Sequence, residues 1–183
     1  MFSSLSKFIL SILGWRAANR FPVTVKKYVT IVGPHTSAWD FVIGVLFRSV
    51  EKIDAKFLGK EELFKGPFGF LFRWLGGYPV DRFNNSNLVD SVVKVFDSKE
   101  TFGIALSPEG TRKRVAKLRT GFYYIALKAN VPVIMAGLDY KRKLAIFSEP
   151  MYLTGNMEED FEKIYAFYRP IVGKIPEYDM RHF

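Results

Sequence analysis

The sequence predicts an α/β fold: a single domain with a mixed, largely parallel sheet flanked by helices, preceded by an amphipathic N-terminal helix. Three observations carry that expectation. Short apolar runs bounded by glycine, proline or charge alternate along the chain with segments of helical periodicity, the pattern of βα units. A length of 183 residues suits one core, and no repeat, low-complexity tract or linker divides it. At the start of the chain, Phe2, Leu5, Phe8, Ile9, Ile12 and Leu13 recur at helical spacing.

Each element follows from its own pattern. The opening segment, residues 1–20, is read as an amphipathic membrane-interface segment, and residues 21–183 as the domain proper. Its densest apolar run, Phe8 to Trp15, is interrupted by Ser11 and Gly14. That run falls short of the ~20 residues that a bilayer-spanning helix needs. Two placements fit it. The helix can lie in a membrane interface, with Lys7, Arg16 and Arg20 near lipid phosphates and Trp15 at headgroup level, or it can cover the domain's own core. Beyond it, "KYVTIVG" (27–33), "AKFLGK" (55–60), "FGIALS" (102–107), "VPVIMAG" (131–137) and "LAIFSEP" (144–150) read as strands. Helices are expected from about Ser37 to Arg48, over 86–96, over 121–129 and over 156–168. The last has Glu158, Glu159 and Asp160 in its first turn, where carboxylates suit the helix dipole. "FGFLFRWLGG" (68–77) is short, aromatic and bracketed by glycine.

Composition narrows the function classes. The chain is 49% hydrophobic and 25% charged, a globular profile. It has no cysteine, so disulfides, zinc–thiolate sites and a cysteine nucleophile are excluded. Lysine and arginine exceed the acids by 27 to 18, and a net charge of +9 points to anionic partners. No nucleic-acid module or basic recognition helix is present, so nucleic acid is not expected among them. Phenylalanine, with 18 residues, leans towards lipid.

The chain has two histidines, and His182 lies next to the C-terminal residue, so His35 is the candidate base. It opens "HTSAWD" (35–40). Residues five apart on a continuous helix are turned ~140° from each other, so His35 and Asp40 can meet only if His35 precedes the helix. Gly33 and Pro34 end the preceding strand, and Thr36 or Ser37 can cap a helix that starts just after. Asp40 then points back at the ring, fixes its tautomer and leaves the other nitrogen free to accept a proton. Ser37-x-x-Asp40 equally matches a capping box, in which the carboxylate satisfies backbone N–H groups.

A second stretch, "SPEGTRKR" (107–114), follows a buried strand, where open α/β sheets bind ligands. Gly110 lets the backbone approach an anion and Arg112 can grip it in a bidentate manner, while Arg114, Lys117 and Arg119 extend the positive surface. The alternative is a solvated basic loop. In "GGYPVDR" (76–82) a short strand ends at Asp81-Arg82, and the arginine is either a phosphate ligand or surface charge.

In their order, these stretches resemble the glycerolipid acyltransferase superfamily, of the lysophosphatidic acid acyltransferase type, from about Lys27 to Tyr140. His35 and Asp40 match the family's His-x4-Asp catalytic pair. Arg82 matches the arginine ending its second block, and Glu109, Gly110, Thr111 and Arg112 match the third, associated with the acceptor's glycerol phosphate. "VPVIMA" (131–136) resembles the fourth, linked to the acyl donor, and "KEELFKGPFG" (60–69) resembles the stretch between the first two. Ser107 stands where the family has an aromatic residue, and Met135 where it has a second proline. The resemblance implies transfer of an acyl group from acyl carrier protein or acyl-coenzyme A to a lysophospholipid. It implies no metal and no cofactor beyond that donor, and a peripheral position on the cytoplasmic face of the membrane. A lyso-aminolipid acceptor, a basic lipid-binding protein without catalysis and a serine hydrolase using Ser107 or Ser37 are the alternatives; the last lacks a Gly-x-Ser-x-Gly elbow.

Overall fold

The computed structural model describes residues 2–80 and 85–183. The chain runs through α1 (Phe2–Ile12), β1 (Arg16–Ala17), β2 (Lys27–Gly33), α2 (Trp39–Val50), β3 (Ala55–Lys60), α3 (Glu62–Lys65), α4 (Gly69–Trp74) and β4 (Gly77–Val80). It continues through α5 (Asn85–Ser98), β5 (Phe102–Leu106), α6 (Gly121–Ala129), β6 (Val133–Asp139), β7 (Leu144–Phe147) and α7 (Met157–Tyr168) to a 3₁₀ turn at Pro176–Tyr178. Among the described residues the strands form one sheet in the order β1-β7-β6-β2-β5-β3-β4. Every pair of neighbours is parallel except β6 and β7. Those two are joined by a tight turn in which the Arg142 N–H donates to Asp139 Oδ1 at 2.9 Å, which leaves no room for a crossover helix.

Both faces of the sheet are covered, which is why its central strands are continuous apolar runs and not alternating ones. Val29, Ile31, Ile104, Val133 and Met135 pack with residues of α5, α6 and α7 on one face. Tyr28, Ile134, Ala136 and Leu138 pack on the other with Leu10 of α1, Trp15, and Ile43, Leu46 and Phe47 of α2. The parallel register aligns Ile31 with Leu106 and Gly33 with Gly137. The C-terminal ends of β2, β5 and β6 therefore lie side by side, and the loops that leave them converge.

Several boundaries differ from the sequence expectation for local reasons. β6 starts at Val133 and not at residue 131, because the Val131 N–H still closes α6 by bonding the Ala126 carbonyl at 3.0 Å, after Asn130 turns left-handed at φ 50°. Pro132 then has no N–H to offer a ladder. α2 begins at Trp39, because the N–H groups of Thr36 and Ser37 are taken by a side chain described below. The stretch 68–77 divides into the short α4 and the start of β4. β1, of two residues, is an edge strand with no pattern of its own.

The N-terminal helix is apolar on two sides. It packs along α2 with Ser6 and Leu10 buried and Ile9 and Leu13 against the same core. Leu5, Phe8 and Ile12 are 54%, 63% and 69% exposed. Covering the domain's core thus accounts for one face of α1 and leaves the other in contact with solvent. Trp15, just after the helix, is buried with its ring edge-on to Phe47.

Candidate active site

His35 leaves β2 two residues after the strand ends, and Asp40 lies in the first turn of α2. His35 Nδ1 and Asp40 Oδ2 are 3.1 Å apart. A buried carboxylate only accepts, so Nδ1 carries the proton and Nε2 is left with a free lone pair. Oδ2 also accepts the N–H groups of Thr36 and Ser37, both at 2.8 Å. Oδ1 accepts the Tyr140 hydroxyl at 2.6 Å. One carboxylate therefore both meets the histidine ring and ties down the 36–37 turn that precedes α2. Burial pushes the pKa of Asp40 up, but the hydrogen bonds from His35, Tyr140 and Ser37 outweigh it and hold the acid below its ordinary range.

The 107–112 loop leaves β5 beside this pair. Glu109 is buried, with Oε1 accepting the His35 backbone N–H at 2.8 Å and Oε2 accepting the Ser107 hydroxyl at 2.9 Å. Its carboxylate is turned into the protein, where burial raises its pKa. Gly110 is left-handed at φ 66°, and its N–H closes a turn onto the Ser107 carbonyl at 3.2 Å. A side chain at that position would collide with Arg119, whose guanidinium stem lies over the glycine. Thr111 Oγ1 accepts the Lys113 N–H at 3.4 Å. Arg112 and Arg119 are exposed, and among the described residues neither forms an ion pair.

His35, Gly110, Thr111, Arg112 and Arg119 line one groove of about 800 Å³. From these polar groups it runs over apolar walls: Phe41, Gly44 and Val45 on α2, and Val32, Ala136 and Leu138 on the sheet. Gly44 leaves its stretch of wall open, since a Cβ there would meet nothing within 4 Å. The structure thus joins a histidine with a free ring nitrogen, two unpaired guanidinium groups and an apolar channel.

The family model for acyltransferases matches residues 17–138. The chain belongs to the acyltransferase family. The fold of the chain is also that of the 1-acyl-sn-glycerophosphate acyltransferase PlsC from Thermotoga maritima. That crystal structure is matched with a TM-score of 0.61 and 18% sequence identity, over 89% of this chain and 73% of the other. A curated relative with a different name, geranylgeranylglyceryl phosphate synthase from Thermoplasma volcanium, is 23% identical over 163 residues. The match takes in 81% of this chain and 61% of the relative, so the chain spans less than two thirds of that protein's length.

Of the residues expected from the sequence, His35, Asp40, Gly110, Thr111 and Arg112 come together at the groove, and Arg82 lies outside the described residues. Glu109 belongs to the same cluster but faces the protein interior. Neither serine weighed as a nucleophile bonds the histidine ring: Ser107 donates to Glu109, and Ser37 Oγ accepts the Trp39 N–H at 3.3 Å. In the 131–136 stretch, Met135 is buried and its N–H donates to Ser148 Oγ, whereas Ala136 lines the groove. Two site residues were not singled out by sequence reasoning. Arg119 had been read as one more surface cation, although Leu-Arg-Thr-Gly immediately before α6 places it at a helix entrance. Tyr140 directly follows β6 and was given no role; only the adjacency of β6 and β2 brings it to Asp40. Among the described residues no three acids or histidines cluster as metal ligands would.

Proposed function

We propose that this chain transfers a fatty acyl group from an acyl thioester to the free hydroxyl of a lysophospholipid, with 1-acylglycerol-3-phosphate the acceptor that fits best, as a step of phospholipid biosynthesis. The observation that carries the reading is His35 Nε2, free and facing a groove that has unpaired arginines at its polar end and apolar walls beyond. Nε2 takes the hydroxyl proton as the acceptor oxygen attacks the thioester carbonyl carbon. The tetrahedral intermediate collapses with loss of the thiolate, and the imidazolium returns its proton to sulfur. Asp40 stabilises the imidazolium through Nδ1–H, so no covalent acyl-enzyme is required. Arg112 and Arg119 hold the acceptor phosphate, and that binding brings the hydroxyl within reach of His35. The donor is acyl carrier protein or acyl-coenzyme A, both anionic and both suited to a chain of +9.

The test is transfer from each donor to lysophosphatidic acid and to monoacylglycerol, which lacks the phosphate. The unmodified protein is expected to prefer the phosphorylated acceptor. Arg112→Ala should raise the KM for lysophosphatidic acid about tenfold to a hundredfold, the size of one charged hydrogen bond, and leave monoacylglycerol use unchanged. Equal use of both acceptors, untouched by Arg112→Ala, would instead favour a lyso-aminolipid.

The same reading places the protein peripherally on the cytoplasmic face of the membrane, where its lipid substrates reside. Support comes from the outward face of α1, which holds Leu5, Phe8 and Ile12 in solvent, each worth ~1.5–3 kcal/mol if fully buried. Among the described residues no helix is long and apolar enough to cross a membrane. Leu5→Ser, Phe8→Ser and Ile12→Ser combined should release the protein from anionic vesicles in a flotation assay without lowering its melting temperature. Flotation equal to that of the unmodified protein would remove α1 as the anchor.

A further inference from the structure

We infer that Tyr140 is a positioning residue for the proton transfer: by donating its hydroxyl to Asp40 Oδ1 it draws charge away from the carboxylate that faces His35, and so sets the pH at which His35 becomes a base. The inference rests on the proposed role of His35.

The geometry is specific. Tyr140 is the residue after β6, and β6 is the parallel neighbour of β2, with Gly137 opposite Gly33. That register carries the tyrosine to the turn that holds His35 and Asp40, a hundred residues earlier in sequence. The 2.6 Å contact is the shortest of the four that Asp40 receives. It falls on Oδ1, the oxygen that His35 and the two backbone donors do not use. The phenol is held from two directions. Its backbone N–H bonds the Val172 carbonyl at 2.9 Å, and the Trp15 ring stands edge-on to it at 4.9 Å and 88°. Burial and the adjacent Asp40 push the phenol's pKa far up, so it remains a donor wherever the enzyme works.

Fastening the 36–37 turn explains the two backbone bonds to Asp40, and an orienting carboxylate explains the histidine bond. Neither accounts for a fixed phenol on the remaining oxygen. The anionic charge of Asp40 is shared between Tyr140 and the imidazolium, so a donor on Oδ1 weakens the pull on the proton at His35. The other charged groups facing the pair act from different elements. Glu109 reaches the His35 N–H from the exit of β5, with Tyr168 of α7 buried beside it. Arg112 and Arg119 line the groove from the loop before α6, and Lys174 lies over the Trp39 ring from the C-terminal segment. None of these touches Asp40 Oδ1, so Tyr140→Phe removes this influence and leaves the others in place.

The test is an NMR titration of the histidine rings in the full chain, which is readable because there are two histidines. In Tyr140→Phe the His35 midpoint is expected to move up by about half to one pH unit, the equivalent of one hydrogen bond. His182, whose ring bonds the Val115 carbonyl, should not move and serves as the internal reference. In the transfer assay the ascending limb of kcat/KM against pH should move up by the same interval, whatever the height of the plateau. 3-Fluorotyrosine at position 140 keeps the ring and strengthens the donor, so it should move the midpoint down. A merely structural tyrosine predicts a lower plateau with the midpoint unmoved, and that result in both variants would overturn the inference. The titration needs no turnover, so an inactive wild type would count against the proposed function without touching this result.

Discussion

His35→Ala is expected to reduce acyl transfer by about 10²- to 10⁴-fold, the range that a positioned general base supplies, with the fold intact. The structure explains why the two effects separate. The His35 ring is partly exposed at the groove, and its side chain makes one hydrogen bond, to Asp40. After truncation Asp40 keeps the Thr36, Ser37 and Tyr140 donors, so no buried charge is stranded. The Glu109 bond to residue 35 survives as well, since it is made to the backbone N–H. Thermal unfolding should shift by little, and turnover should collapse at saturating acceptor, a loss in kcat. Activity within about threefold of the unmodified protein would remove His35 from the mechanism.

Asp40→Ala is expected to cost both activity and stability. The Thr36 and Ser37 N–H groups and the Tyr140 hydroxyl would lose their acceptor, and leaving a buried donor unpaired costs about 1–3 kcal/mol each. A destabilisation on the order of 3 kcal/mol, read from denaturant midpoints, would accompany inactivity. Asp40→Asn separates the two losses: its amide keeps the shape and an acceptor oxygen, so it should be much the more stable, yet inactive because the tautomer of His35 is no longer fixed. Since the folded protein holds Asp40 below its ordinary value of 3.8, the stability it contributes is fully present above that pH. It is lost as pH falls through the lowered value, so the wild-type advantage over Asp40→Asn should be flat near neutrality and shrink below about pH 4. A stability gap that persists into strong acid would show that the carboxylate's charge is not its source.

The parts of this design legible in the sequence are those governed by neighbours along the chain. Strands at 27–33 and 55–60 show because each is a short stretch with an apolar centre and no competing helical period. The break at Gly33-Pro34 shows that His35 lies outside the helix that carries Asp40. What remained hidden depends on which strand lies beside which. β1 exists only because β7 pairs with it, and Tyr140 reaches Asp40 only because β6 lies against β2. The spacing of "HTSAWD" left the backbone and the histidine as alternative partners of Asp40, since spacing does not show that one oxygen, Oδ2, can accept from both. Glu109 was placed with the acceptor through its match to the family's third block, and sequence could not show that the His35 N–H and the Ser107 hydroxyl draw it inward.

The two-sided character of α1 bears on how this protein is best handled. Trimming an apolar leader is a common way to obtain a soluble enzyme, but here the inner side of the leader is part of the tertiary structure. Removing residues 2–13 would strip Leu10 from the cluster around Ile43 and Phe47 and loosen the anchorage of Trp15, the ring that stands against Tyr140. A trimmed protein would lose part of its core together with any affinity for lipid that α1 supplies, so low turnover in it would not by itself report a need for bilayer contact. Polar replacements confined to Leu5, Phe8 and Ile12 would instead remove the exposed apolar face and leave the interior untouched.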